Sequence, residues 1–558
     1  MPTILLNSFL IVLLFTPFGF FLSNKNKINL EHFSSMLIYG SIILCFIALL
    51  LNFFFPLNKF LNTIILILPV IILIRERKIF FSKKYLIFLL FSTVLIALLI
   101  VESNVYRPDA GLYHLPYIKI LNDEKIIFGL SNLHFRFGHI SIIQYLSAIS
   151  NNFIFQNNGI VYAQALIASS IIINFSYKIY YYNIRKNYNF HFFYLLAIII
   201  FIFYKMNRYS EYGNDAPSHF LFFFLISEFL SLNKKKMKDI CNNFILIMFI
   251  IFNKITLLMS IFIGIFLLKE IKIKKIIKLK RFYFLIILSA LWILKNLLVS
   301  GCIIYPVKSL CFEKIIWSDI KKVEIVSSEN EVWTKGWPDY TKIKLKNDEK
   351  IVAVETYLKN FFWLPYWSNG HLKKILNILY PYLLALIIFL FYFFINKKLI
   401  KKFNYNNIYI LLIILMFLST VFWFIKVPVF RYGYSYFVSF FGLIFALISI
   451  QFKLLKNNIP KFFNFILIIG FSVFVFKNVI RINNNNNDYN NYPWPKYFAM
   501  DENNIDYGVQ EYILNKKKIY FPKRYCMFSN SPCAQYGINK NINLIKLKNN
   551  YIILYNKK

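Results

Sequence analysis

Six side chains able to do acid–base or anion-binding chemistry crowd into residues 105–139 of an otherwise apolar chain: Asp109, Tyr113, His114, His134, Arg136 and His139. Arg107 lies in the same stretch, and Pro108 just ahead of Asp109 suits a helix start. If residues 109–121 are helical, Asp109 and Tyr113 share a face, because positions four apart are neighbours on a helix. A carboxylate held there can accept a proton, and a nearby guanidinium can hold an anion. Similar groups recur further on. Asp215 and His219 are four apart in NDAPSH, Lys254 follows Asn253 in the middle of a long apolar run, Lys295 sits inside another, and Arg431 stands in KVPVFRYG. Each has a plain reading as well. Asp215 serves as a helix cap, His219 as an interfacial histidine, and Lys295 as a snorkelling lysine. His134 and His139 have no role beyond proximity, since positions on a surface helix account for them equally well.

The elements that must position these groups are membrane helices. Hydrophobic residues make up 58% of the 558 positions and mean hydropathy is +0.55, above what soluble domains carry. The apolar runs are roughly 20 residues long, enough to cross a bilayer core. A formal charge of +39 invites a nucleic-acid partner. That reading is rejected. Lysines number 54 against 10 arginines, amid abundant Ile, Phe, Asn and Tyr, which is the imprint of A/T-rich codons. No nucleic acid is expected; the expected partner is membrane lipid.

Thirteen apolar segments are candidate spans, starting at residues 3, 34, 61, 85, 157, 190, 216, 243, 282, 376, 407, 435 and 462. The first lacks the basic flank and small-residue cleavage site of a signal peptide. Basic clusters at 75–84, 178–186, 233–238, 269–281, 397–402 and 453–461 orient them with the clusters on the cytoplasmic side. One segment conflicts: 243–268 has lysine-rich flanks at both ends. A hairpin of two short helices with Asn253, Lys254 and Thr256 at its tip resolves the conflict. It places every polar-rich segment on the outer side: 102–156, 206–215, the tip, 300–375, 426–434 and the tail. Within 102–156, two surface helices are expected, over 109–121 and 136–155. Cys302 and Cys311, and Cys526 and Cys533, are two local pairs on that oxidising side and are expected to form disulfides, with Cys45 and Cys241 free. The run INNNNNDYNNYPWP reads as a linker to a small β-rich tail.

The expected fold class is therefore an all-α polytopic membrane protein of about 12–14 transmembrane helices. It carries a large extracytoplasmic loop at 300–375 and a small β-rich C-terminal appendage, divided into a membrane domain over 1–480 and linker plus appendage over 481–558.

The pattern over residues 85–450 resembles the GT-C superfamily of integral-membrane glycosyltransferases. RPDAGLYHLPYI resembles their first-loop acidic motif, NDAPSH their second acid, and KNLLVSGCIIYP, KVPVFRYG and the tail's CMFSNSPC resemble segments of uncharacterised bacterial members. Asp-Ala-Gly replaces a pair of adjacent acids, and four of the candidate spans precede the motif-bearing loop. The resemblance implies transfer of a sugar from a polyprenyl-phosphate donor to a cell-envelope glycan, lipid or protein acceptor, at the outer face of a bacterial cytoplasmic membrane. Asp109 would be the general base, with Tyr113 and His114 beside it. Arg431, Lys254, Lys295, Arg107 and Arg136 are candidates to hold the departing phosphate. A divalent metal such as Mg or Mn, held by Asp215 and His219, is the alternative source of positive charge. Other readings are a polysaccharide polymerase or ligase, which would favour an arginine-rich late loop, and a lipid-linked sugar transporter or flippase, which would show inverted repeats.

Overall fold

The computed structural model describes residues 2–23, 28–101, 109–139, 141–207, 209, 212–232, 236–268, 271–336, 354–395, 397–399, 407–454, 459–484, 510–515, 517–522, 525–535, 542–547 and 551–556. The chain is mostly helical. Among the described residues, eight helices are long and apolar enough to cross a membrane, as in a multi-pass membrane protein. These eight differ widely in burial. Asn157–Ile184 is 94% buried, whereas Lys280–Ser300, Leu364–Ile395 and Pro460–Asn483 are 22%, 17% and 11% buried, so the last three turn apolar faces outward. The buried helix carries Gln164, Ser169, Ser170, Asn174 and Lys178; the two serines donate back to the Leu166 carbonyl of their own helix, and the other three bond to neighbouring elements. Asn174 donates to Ser34 at 3.0 Å and Lys178 pairs with Glu228 at 2.7 Å. Away from water, each polar group needs such a partner.

The segment around Lys254 forms a hairpin. Helix Met237–Asn253 stops at Lys254, whose backbone is extended (φ −146°, ψ 103°), and the chain returns through a 3₁₀ turn, Ile255–Ser260, into helix Ile261–Leu268. The two arms pack closely. A Cβ on Gly264 would lie 2.9 Å from the Phe244 ring and 3.3 Å from Ile247, so any larger residue there would have to displace these side chains. The expected tip is the observed one. Its position follows from the charge: a lysine at the centre of a continuous helix would face lipid, whereas at a break it can reach a polar partner.

The first loop begins with a π-helical turn, Ala110–His114, followed by helix Leu115–Asp123. Such turns are frequent at functional sites because the extra residue re-aims side chains. The second surface helix expected over 136–155 is instead two short pieces, the 3₁₀ turn Phe135–His139 and the helix Ile143–Ile149. Ser141, between them, bonds through its hydroxyl to Asn253 of the hairpin, an anchor that a continuous helix would not offer. Further on, helix Ile320–Thr334 caps itself through Asp319, whose carboxylate accepts from the Lys322 amide at 3.0 Å.

The tail folds as two antiparallel hairpins, Gln510–Leu514 with Lys517–Phe521 and Ile542–Lys546 with Ile552–Asn556. Disulfides join Cys302 to Cys311 and Cys526 to Cys533, while Cys45 and Cys241 are free and buried. The hairpins dock on the first loop. Phe128 donates to the Ile552 carbonyl at 2.9 Å and accepts from the Leu554 amide at 2.8 Å.

Candidate functional site

Asp109 stands at the head of the π-turn and faces Arg431, which opens helix Phe430–Ser449. The Arg431 guanidinium reaches two carboxylates: its Nη1 lies 3.4 Å from Asp109 Oδ2, and its Nε 3.7 Å from Asp215 Oδ2. Asp215 also forms an ion pair with Lys254 at the hairpin tip. Four charged residues from four separate segments thus alternate in sign: Asp109, Arg431, Asp215, Lys254. Aromatic faces hold the cations from the other side. Arg431 lies over Trp333 (5.3 Å) and Tyr432 (5.2 Å), and Lys254 lies 3.8 Å over Tyr432.

A set of hydrogen bonds fixes this row. Asn253 donates to the Ser218 hydroxyl at 2.6 Å, and Asn214 donates to the Asn253 carbonyl at 3.0 Å, which ties the hairpin tip to the start of helix Asp215–Leu230. Thr256 donates to the Tyr432 carbonyl at 3.0 Å, and Tyr436 donates to the Thr256 carbonyl at 2.9 Å, which ties it to the helix bearing Arg431.

The row lines a cavity of about 1390 Å³, larger than an ordinary small-ligand pocket. Among the described residues its walls carry three carboxylates, Asp109, Asp215 and Glu331, and four cations, Arg136, Lys254, Lys426 and Arg431. Tyr113, His114, His139 and Gln144 complete the wall from the first loop. Arg136 lies over the Tyr113 ring at 5.4 Å. Gln144 donates its amide to His114 Nδ1 at 2.9 Å, which leaves the ring proton on Nε2. Burial pushes the His114 imidazole down to about 4, so it is neutral at physiological pH and offers an N–H. His139, down at about 3 through burial and the Arg136 charge, accepts from Asn330 at 3.2 Å.

The other wall is apolar. Leu258 and Ile261 on the return arm of the hairpin face Trp292 and Ile293 of helix Lys280–Ser300 across this part of the cavity. Ile261 and Ile293 are 44% and 37% exposed.

Of the residues singled out from the sequence, Asp109, Tyr113, His114, Arg136, Asp215, Lys254 and Arg431 meet at this cavity. Arg107 lies outside the described residues. Two of the candidates take other places. Lys295 is buried behind the wall, with its ammonium 4.1 Å from the Trp292 ring and donating to Asn296 at 3.1 Å; Trp292 and Asn296 line the cavity and Lys295 does not. His219 bonds through Nδ1 to Ser435 (2.7 Å) and through Nε2 to the Arg431 carbonyl (2.8 Å), so neither nitrogen is open to a metal, while Asp215 is held by two cations. Asp215 and His219 therefore do not fit a divalent ion, and no group of three metal-binding side chains occurs among the described residues. His219 instead buttresses the backbone of Arg431. His134 is buried away from the cavity, its Nδ1 accepting from the Arg136 amide at 3.2 Å.

Sequence reasoning missed Glu331, Trp333, Lys426 and Tyr432. Glu331 pairs with Lys335 at 2.7 Å and approaches Lys426 at 3.9 Å. Trp333 and Tyr432 had a usable signal, since each adjoins an unusual feature, a long polar loop or a rare arginine. The aromatic excess of the whole chain concealed it.

A family model described as a domain of unknown function, DUF8201, matches residues 1–438. The match takes in the first loop, the hairpin and Arg431, and it ends before the tail. No curated protein and no solved structure matches the chain.

Proposed function

The chain belongs to the DUF8201 family, whose description assigns no activity, so function has to be read from the cavity, and from it we propose a membrane glycosyltransferase. It moves a sugar from a polyprenyl-phosphate donor to a hydroxyl of an envelope glycan, lipid or protein. The observation that carries this reading is the alternating row Asp109–Arg431–Asp215–Lys254 in a cavity that Leu258, Ile261, Trp292 and Ile293 also line. A phosphate on a long isoprenoid needs both: cations for the head and a greasy path for the tail. The apolar lining that includes Leu258, Ile261 and Ile293 supports the second.

In a direct displacement the acceptor oxygen bonds to the anomeric carbon as the carbon–phosphate oxygen bond breaks, and the electron pair leaves with the phosphate. The acceptor proton passes to Asp109. Arg431 and Lys254 face the charge that develops on the phosphate, and fixed cations there are usually the largest catalytic contribution. Arg431 holds Asp109 loosely, at 3.4 Å. An incoming phosphate competes for the guanidinium and frees the carboxylate to act as base. His114 presents Nε2–H to the same space and Tyr113 its hydroxyl. One displacement inverts the anomeric configuration.

The basic clusters taken as cytoplasmic put the cavity on the other side of the membrane, and on that basis we assign the reaction to the extracytoplasmic face. The test is transfer by purified protein in vesicles supplied with radiolabelled polyprenyl-phosphate sugars and a membrane lipid and glycan extract. Asp109→Asn should lower the rate by about 10²–10⁴, the share of a general base. Transfer unaffected by Asp109→Asn removes this mechanism. No transfer from any donor favours a transporter.

A further inference from the structure

The wall beside Asp109 is completed by the C-terminal tail. Tyr525 and Met527 line the cavity together with Asp109, Ala110 and Gly111. The Met527 amide donates to the Gly111 carbonyl at 3.0 Å. A Cβ at Gly111 would collide with Met527 Sδ and come within 3.2 Å of Tyr525 Cβ, so the π-turn and the tail touch with no space between them. Cys526, between the two tail residues, is joined to Cys533. That loop is fastened to strand Lys517–Phe521: Tyr520 donates to the Pro532 carbonyl and its own carbonyl accepts from Ala534, both at 3.0 Å. Further anchors reach the same loop of the membrane domain. Lys517 pairs with Glu124, and the Lys119 ammonium lies 5.2 Å over the Phe528 ring.

These contacts set the tail against the π-turn that follows Asp109, and they come from a segment beyond the family match. We propose that Tyr525 and Met527 are the specificity-determining wall of the acceptor subsite, against which a pyranose ring of the acceptor packs with its hydroxyl directed at Asp109. The proposal rests on the glycosyltransferase reading. The apolar lining at Ile261 and Ile293 comes from helices Ile261–Leu268 and Lys280–Ser300 and suits the lipid-linked donor, whereas the tail is made of hairpins of mixed polarity and suits a water-borne or surface glycan. A tyrosine ring and a thioether offer a flat apolar face, the complement of the C–H face of a sugar ring.

Two readouts on the full-length protein in vesicles test the proposal. The first is the ratio of sugar transferred to the membrane extract against sugar released to water. In Met527→Ala and Tyr525→Ala that ratio should fall by about tenfold, the scale of one lost pocket contact. Equal losses of transfer and release overturn the proposal. The second needs no turnover: the rate at which a bulky maleimide labels Tyr113→Cys. Adding Met527→Ala should raise it several-fold by opening the wall, and an unchanged rate overturns the proposal. If the wild type neither transfers nor releases sugar, the glycosyltransferase reading falls with the acceptor assignment. The labelling rate then decides separately whether the tail closes the cavity.

Discussion

The ion pair between Lys254 and Asp215 joins the hairpin tip to the row of charges, and a double-mutant cycle measures it. The side chains are 12% and 24% exposed, closer to a buried pair than to a surface one. Removing one partner of a buried pair costs about 3–5 kcal/mol. Two features reduce that here. Arg431 remains 3.7 Å from Asp215 when Lys254 is lost, and both groups retain some contact with water, which screens them. Lys254→Met should therefore lower the unfolding free energy by about 2–3 kcal/mol, and Asp215→Asn, which leaves two cations facing each other, by a similar amount. The double variant removes both charges. It should be less destabilised than the two singles combined, with a coupling of about 1–2 kcal/mol, inside the range for contacting residues. The assay is denaturant unfolding of the four proteins in one detergent, read by tryptophan fluorescence. Additivity within about 0.5 kcal/mol would refute the reasoning, because the two charges would then not meet.

Replacing Arg431 with Lys keeps the charge but loses the fork that spans Asp109 and Asp215, so transfer should fall by about 10²-fold while the protein still folds; a near wild-type rate contradicts the bridging role. His114 has its imidazole pushed from an ordinary 6.5 to about 4 by burial, so between those values the unfolded chain binds a proton that the folded chain does not. Its contribution to stability is present above pH 6.5 and is lost as pH falls toward 4. His114→Gln should reduce the slope of unfolding free energy in that window by up to about 1.4 kcal/mol per pH unit, and an unchanged slope places His114 in water. The hairpin predicts that cysteines substituted at Lys238 and Lys272 label from the same face of the membrane in intact cells; labelling from opposite faces requires a single crossing instead.

Much of the helical skeleton and the hairpin was legible because membrane physics leaves few options. An apolar run with lysines at both ends and Asn253–Lys254 in its centre can satisfy its charge only by breaking and turning back. The charged row was legible as a set of candidates because carboxylates and arginines are rare in this chain, so each stood out. Which of them face one another was not. Lys295 and His219 fall on apolar helices whose sequence is hydrophobic all round, and such a helix does not reveal which face meets a cavity and which meets a neighbour. Both proved to be supports, Lys295 behind Trp292 and His219 behind Arg431. The docking of the tail was illegible for another reason. Its contacts with Gly111 and Phe128 run largely through backbone groups, which leave no mark in side-chain pattern.

The central claim is that Asp109 takes a proton from an acceptor while the cations beside it receive a phosphate. Its most direct measurement is the initial rate of sugar transfer from a radiolabelled polyprenyl-phosphate donor, in vesicles containing wild-type protein or Asp109→Asn. The account predicts measurable transfer by the wild type and a loss of about 10²–10⁴ in the variant. Equal rates in the two, at equal amounts of folded protein, would contradict it.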